Sequence, residues 1–159
     1  MSNGLPPLNL PPADLRLRTE GDTVKVYDPL RDKYVVLTPE EFVRQHFTSY
    51  LIHTLHYPKS IMANEVGLDL NGTKKRCDTV VFGLDGSPRV IVEYKAPGVS
   101  ITQDVFDQIV RYNMRLKARY LIVSNGLRHY CCINDYAHDR YHFIPRIPDY
   151  SETFPFSGN

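Results

Sequence analysis

Apolar and polar positions alternate in short runs at several points of the chain and switch to a three-to-four-residue spacing at two. Thr23 to Tyr27 and Lys33 to Leu37 read as short strands around a turn at Asp28-Pro29-Leu30-Arg31-Asp32. Thr38-Pro39-Glu40-Glu41 opens a helix, with Thr38 as N-cap, Pro39 at the first helical position and Glu41 completing a capping box. Phe42, Val43, Phe47, Tyr50, Leu51 and Leu55 carry its apolar stripe to about residue 56, where Tyr57-Pro58 ends it. Ile61 to Leu68 predicts the first core strand, and Asn71-Gly72 turns the chain back. A second helix is expected from about Gln103 to Lys117, capped by Ser100-x-x-Gln103, with Val105, Phe106, Ile109, Val110 and Met114 or Leu116 inward. Tyr120 to Val123 suits a buried strand in parallel pairing, and Arg128 to Ile133 with Tyr141 to Ile144 suits a closing hairpin.

Between the helices, Thr79 to Phe82 and Val90 to Tyr94 are β-branched and aromatic runs flanking Asp85-Gly86, a strong hairpin signal. A two-residue loop there, or a four-residue loop from Leu84 to Ser87, gives one register, in which Asp78 faces Glu93. Opposed side chains lie about 4.5–5.5 Å apart at Cβ, and like charges there are destabilising. A hard divalent cation such as Mg²⁺ would reconcile the pair. Strand alternation puts Lys95 on the face of Glu93 and turns Tyr94 the other way. Two carboxylates with an ammonium beside them suit metal-assisted phosphodiester hydrolysis. The bland alternative is a surface pair salt-bridged to Lys75, Arg76 or Lys95.

Asp78 followed by Glu93-x-Lys95 resembles the PD-(D/E)XK nuclease superfamily, and Gln108-x-x-x-Tyr112 resembles the extra motif of its RecB-like branch. Thr38-Pro-Glu-Glu-Phe-Val-Arg-Gln45, Lys75-Arg-Cys-Asp78, Val92-Glu-Tyr-Lys-Ala-Pro97 and Asp104-Val-Phe-Asp-Gln108 together resemble the N-terminal nuclease domain of type I restriction enzyme R subunits, over about residues 24–147. Cys77 stands where the name motif has proline. The resemblance implies an α/β, restriction-endonuclease-like α-β-β-β-α-β core with a mixed central sheet and added β-hairpins. It implies a nuclease, expected to be an endonuclease, using Mg²⁺ or Mn²⁺ held by Asp78, Glu93 and the Tyr94 backbone carbonyl, with Lys95 orienting water. Gln108 and Tyr112, an i,i+4 pair on one helix face, would reach the site or the DNA backbone. Glu41 has two readings, helix cap or assisting metal ligand. Glu65 is a weaker candidate acid, read first as an edge glutamate. Lys74, Lys75 and Arg76 read as a solvated charge run or, beside a metal site, as phosphate contacts.

The length of 159 residues and 42% hydrophobic content suit one domain, expected over residues 23–147, between a Pro-rich extended arm (1–22) and a C-terminal tail (148–159) expected to fray. The 19 Lys and Arg nearly balance 18 Asp and Glu, so attraction to DNA must come from local patches. Three cysteines without CxxC spacing, and an isolated His53-x-x-His56, suggest neither a disulfide framework nor a zinc site. The N-terminus does not read as a signal peptide and no segment reaches membrane-spanning length, so a reducing cytoplasmic setting is expected. No GxxxxGK[ST] motif is present, so the resemblance does not extend to an ATP-driven motor. Two further expectations are DNA with separately encoded restriction or repair subunits as partners, and a homodimer, since cutting both strands needs two sites. The competing class is a non-catalytic nucleic-acid-binding or assembly module that keeps the fold.

Overall fold

The computed structural model describes residues 5–153. Its largest element is a six-stranded sheet in the spatial order β4-β5-β6-β7-β8-β9, formed by Met62–Leu70, Thr73–Phe82, Pro88–Tyr94, Tyr120–Ser124, His129–Asp135 and Arg140–Ile144. All neighbours are antiparallel except β6 and β7, which run parallel. A separate antiparallel sheet holds β1 (Leu17–Glu20), β2 (Thr23–Asp28) and β3 (Lys33–Val36). Helix α1 (Pro39–His53) precedes β4, and α2 (Gln103–Asn113) makes the crossover between β6 and β7.

The two helices cover opposite faces of the large sheet. Val43, Phe47 and Leu51 of α1 pack on Val81, Val90, Val92 and Ile122. Phe106 and Val110 of α2 pack on Val80, Ile91, Leu121 and Val123. The alternation of strand side chains produces this division, and even Cys131 and Cys132 fall on opposite faces. Phe47 is fully buried, and truncating it to alanine would cost about 3–5 kcal/mol.

Thr38 caps α1 as expected, its hydroxyl accepting the Glu41 N–H at 3.0 Å. The return half of the capping box is missing, because the Glu41 carboxylate is bonded by Arg31, Arg44 and Gln45 instead. The N-cap of α2 is Thr102, not Ser100, and its hydroxyl accepts the Val105 N–H. This helix ends at Asn113 and passes into a 3-10 turn, Met114–Leu116, closed by Lys117 at φ 55°. The turn buries Leu116.

The β5–β6 hairpin keeps the expected register at its core, Thr79 opposite Val92 and Val81 opposite Val90, but not the expected loop. Phe82 pairs with Pro88, leaving Arg89 as a bulge residue, and Gly83 N–H donates to Ser87 O at 2.8 Å. The loop is therefore Leu84-Asp85-Gly86, a turn closed by Gly86 N–H to Gly83 O with Gly86 at φ 82°. A three-residue loop of this kind with a left-handed glycine is a common hairpin solution. Its odd length alone would have slipped the register by one, and the bulge restores it before the strands reach Asp78 and Glu93.

Among the described residues, both the N-terminal arm and the C-terminal segment make regular structure that their composition does not suggest. Within the arm expected to be merely extended, Leu17–Glu20 pairs with β2. Asn9 donates to Gly126 O at 2.8 Å, and a Cβ on Gly126 would collide with Leu8 at 2.7 Å. In the tail expected to fray, Tyr150–Thr153 forms a short helix, α3. It is docked by Tyr57 OH to Pro148 O, by Tyr150 N–H to Leu55 O and by the Arg89 guanidinium to Thr153 O. Residues 1–4 of the expected arm and 154–159 of the expected tail lie outside the described residues. Among the described residues no helix is long and apolar enough to cross a membrane.

Candidate active site

One irregularity in β4 shapes the site. Glu65 has φ 54°, and the ladder pairs Asn64 with Thr79 and Val66 with Cys77 while skipping the rung between them. Met62 faces the α1 side of the sheet, whereas Val66 and Leu68, also at even positions, face the α2 side. The left-handed residue therefore reverses the alternation. On β5 it brings Cys77 to the α2 face, and Lys75 follows. Simple alternation from Asp78 would not have placed Lys75 there.

One rung beyond the Thr79–Val92 pair, Asp78 replaces the ladder with its side chain: Oδ2 accepts the Tyr94 N–H at 2.9 Å. Glu93 lies beside it. Burial first, and the Asp78 carboxylate second, push the Glu93 carboxyl up to about 8, with Lys75 and Asn113 pulling partly back. Lys95 follows at the end of β6, its N–H bonded to Ser124 O of the parallel neighbour at 2.9 Å. Together with Gln108, Tyr112, Ile109 and Asn113 of α2, and with Glu40, Arg76 and Tyr94, these residues line an open cleft of about 420 Å³.

Beneath the cleft, three polar atoms are buried without a hydrogen-bond partner among the described residues: Glu93 Oε1, Lys75 Nζ and Asn113 Oδ1. Buried polar atoms are normally satisfied, so a cluster of orphans is informative. The Lys75 ammonium lies 2.7 Å from the Tyr112 ring centroid. Burial pushes it down from its ordinary value, and the nearby Glu93 charge offsets part of that. Among the described residues Lys95 forms no salt bridge and Gln108 no side-chain hydrogen bond, so both remain available to a ligand.

The other expected site residues are placed differently. Glu41 does not line the cleft; its Oε2 accepts from Arg31 at 2.7 Å, Arg44 at 3.1 Å and Gln45 at 2.9 Å. The neighbouring Glu40 reaches the cleft instead. Glu65 is held by Arg44 at 2.8 Å and Arg76 at 2.9 Å, outside the cleft. Of the basic triplet, Arg76 lines the cleft and stays 68% exposed, Lys74 is exposed opposite Asp69, and Lys75 is buried rather than offered to solvent. Asp107 bonds Tyr141 at 2.6 Å and Gln103 at 2.9 Å. Sequence reasoning missed Glu40, Asn113 and Arg44; only Arg44 carried a signal, its i,i+3 spacing from Glu41.

The sequence matches, over residues 39–148, the family of type I restriction enzyme R protein N termini. The chain belongs to that family. A solved fragment assigned to an HsdR subunit of a type I restriction enzyme from Vibrio vulnificus YJ016 is similar at 19% identity and a TM-score of 0.49, covering 71% of this chain and 24% of that one. The chain thus spans about a quarter of that structure's length. No curated protein sequence matches it.

Proposed function

We propose that the chain is a metal-dependent nuclease domain of the PD-(D/E)XK type that hydrolyses DNA phosphodiester bonds as an endonuclease. The observation that carries this reading is a buried glutamate, Glu93, pressed against Asp78 with one oxygen unpartnered, beneath a cleft that holds a free lysine. The succession α1, three antiparallel strands, α2 and a strand parallel to the third supports a restriction-endonuclease-like core, within a domain over residues 23–147.

The donor set fits Mg²⁺ or Mn²⁺. Among the described residues no three His, Cys, Asp or Glu side chains gather at one point. Mg²⁺ asks for less, being held by one or two carboxylates with waters and substrate phosphate oxygens. Asp78, Glu93 and the Tyr94 carbonyl would hold it, with Glu40 of α1 a further acid lining the cleft. When bound, the ion supplies Lewis-acid polarisation of the phosphate and a more acidic water. Lys95 orients the attacking water and offsets charge developing on the phosphoryl oxygens. Gln108 donates its amide to a phosphate oxygen and aligns the scissile strand. Arg76 and Lys74 contact flanking phosphates, and Tyr112 covers Lys75 until substrate enters. The biological setting of this reading is the cytoplasm, with DNA and separately encoded restriction subunits as partners. A second copy of the chain would serve the other strand.

The test is nicking of supercoiled plasmid in Mg²⁺ by wild type, Asp78→Ala and Lys95→Ala. Each variant should lose at least about 10²-fold in rate. Cleavage undiminished in either would contradict the assignment. A wild type that neither nicks DNA nor binds metal would leave the non-catalytic binding module as the better reading.

A further inference from the structure

We propose that the site is set from the far side of the sheet, by a buried polar frame anchored in the small N-terminal sheet, and that Arg44 is its positioning residue for Asp78. Asp78 owes its special role in this argument to the nuclease reading, but the geometric claim can be tested without it.

Arg44 lies on α1, does not line the cleft, and is 6% exposed. Its planar fork reaches three elements at once. Nε donates to Glu41 of α1 at 3.1 Å, Nη2 to Glu65 of β4 at 2.8 Å, and Nη1 to the backbone oxygen of Asp78 on β5 at 2.6 Å. Asp78 stands at the skipped rung of the β4–β5 ladder, so the side chain of Arg44 bonds a carbonyl at the break in strand pairing. With its backbone oxygen held on one side, Asp78 turns its carboxylate to the Tyr94 N–H on the other. That is the geometry that lays it beside Glu93.

A second branch reaches the same place. Asp28 is fully buried at the end of β2 and is bonded by Arg31, which also bonds Glu41. Asp28 accepts from Asn64 Nδ2 at 3.0 Å, Asn64 Oδ1 accepts the Thr79 hydroxyl at 2.6 Å, and Thr79 Oγ1 accepts the Tyr94 hydroxyl at 2.9 Å. Thr79 adjoins Asp78, and Tyr94 lies between Glu93 and Lys95. The Arg44 guanidinium lies 5.6 Å from the Tyr94 ring and ties the branches together. Asp28 and Arg31 both precede the matched family segment, so the frame extends beyond it into the β2–β3 hairpin.

The Tyr94 amide proton reports the Asp78 carboxylate directly, with no metal or substrate needed. Hydrogen exchange would be measured on the ¹⁵N-labelled full chain for wild type, Arg44→Lys, Asp28→Asn and Asp78→Ala, the last as the reference for a lost acceptor. Lysine keeps the charge but cannot span three acceptors with one ammonium. Exchange at Tyr94 should accelerate at least about 10-fold in Arg44→Lys, toward the Asp78→Ala value, and less in Asp28→Asn, while the other β6–β7 ladder amides keep wild-type rates. A wild-type rate at Tyr94 in folded Arg44→Lys overturns the proposal. If Arg44→Lys does not fold, a wild-type rate in Asp28→Asn overturns it equally. Plasmid cleavage by Arg44→Lys should show a lower kcat at unchanged KM. Loss confined to KM would count against positioning. A wild type without cleavage or metal binding would defeat the nuclease reading and leave the Tyr94 amide to judge this one.

Discussion

The two faces of the central sheet treat their buried charges in opposite ways. On the α1 face, Asp28, Arg31, Glu41, Arg44, Asn64 and Thr79 are joined in one network of hydrogen bonds. On the α2 face, a few ångströms through the same strands, Glu93, Lys75 and Asn113 each keep a buried atom without a partner. Satisfied buried networks rigidify, whereas unsatisfied ones are costly in a low dielectric. Among the described residues the unpartnered buried atoms thus fall on the α2 face alone, which supports the proposal that a ligand binds there.

Substitutions on the two faces should therefore diverge. The largest effect is expected from Glu93→Gln, which should reduce cleavage by at least about 10²-fold while leaving the metal-free protein as stable as wild type or more so. An amide of the same shape stays uncharged beside Asp78, as the Glu93 carboxyl, pushed up to about 8, largely does near neutral pH. Plasmid nicking and urea denaturation on one preparation would check both halves. Arg31→Met should do the reverse on stability, costing about 3 kcal/mol in urea, because it strips a partner from two buried carboxylates, Asp28 and Glu41.

Asp28→Asn gives a smaller effect with a pH signature. Burial pushes the Asp28 carboxyl up, but bonds from Asn64, Arg31 and the Leu30 N–H outweigh it and hold the group below its ordinary value. A depressed native value stabilises the fold above the unfolded-state value and is lost as pH falls through the native one. The gap in Tm between wild type and Asp28→Asn should be constant near neutrality and close below about pH 4. A gap that persists in acid would mean that shape rather than charge matters there. The smallest effect is expected from Tyr112→Ala. Tyr112 is 60% exposed, so stability should change by less than about 0.5 kcal/mol, while KM for DNA rises a few-fold as the Lys75 ammonium loses its cover.

What the sequence made legible follows from how local each signal was. The Asp78–Glu93 neighbourhood came from hairpin register and the Gln108–Tyr112 face from helical spacing, and both depend on residues close in the chain. The loop was misread because Arg89 bulges, and two local irregularities cancelled at the site. Lys75 reads as part of a solvated charge run or as a phosphate contact because alternation assumes an unbroken pleat, and the left-handed Glu65 breaks it. Glu41 looked equally like a cap and a ligand, since one of its partners, Arg31, comes from the turn between β2 and β3, ten positions away. Arg44 was invisible as a site residue because its contact with Asp78 spans 34 positions and is made to a backbone atom, which carries no sequence signature.

The central claim is that Asp78 and Glu93 are a cation site held ready by the fold. The most direct measurement is calorimetric titration of Mn²⁺ into wild type and Asp78→Ala. The account predicts one saturable site at millimolar metal or below in the wild type and none in the variant. Equal binding by both, or no heat in the wild type at millimolar metal, would contradict it.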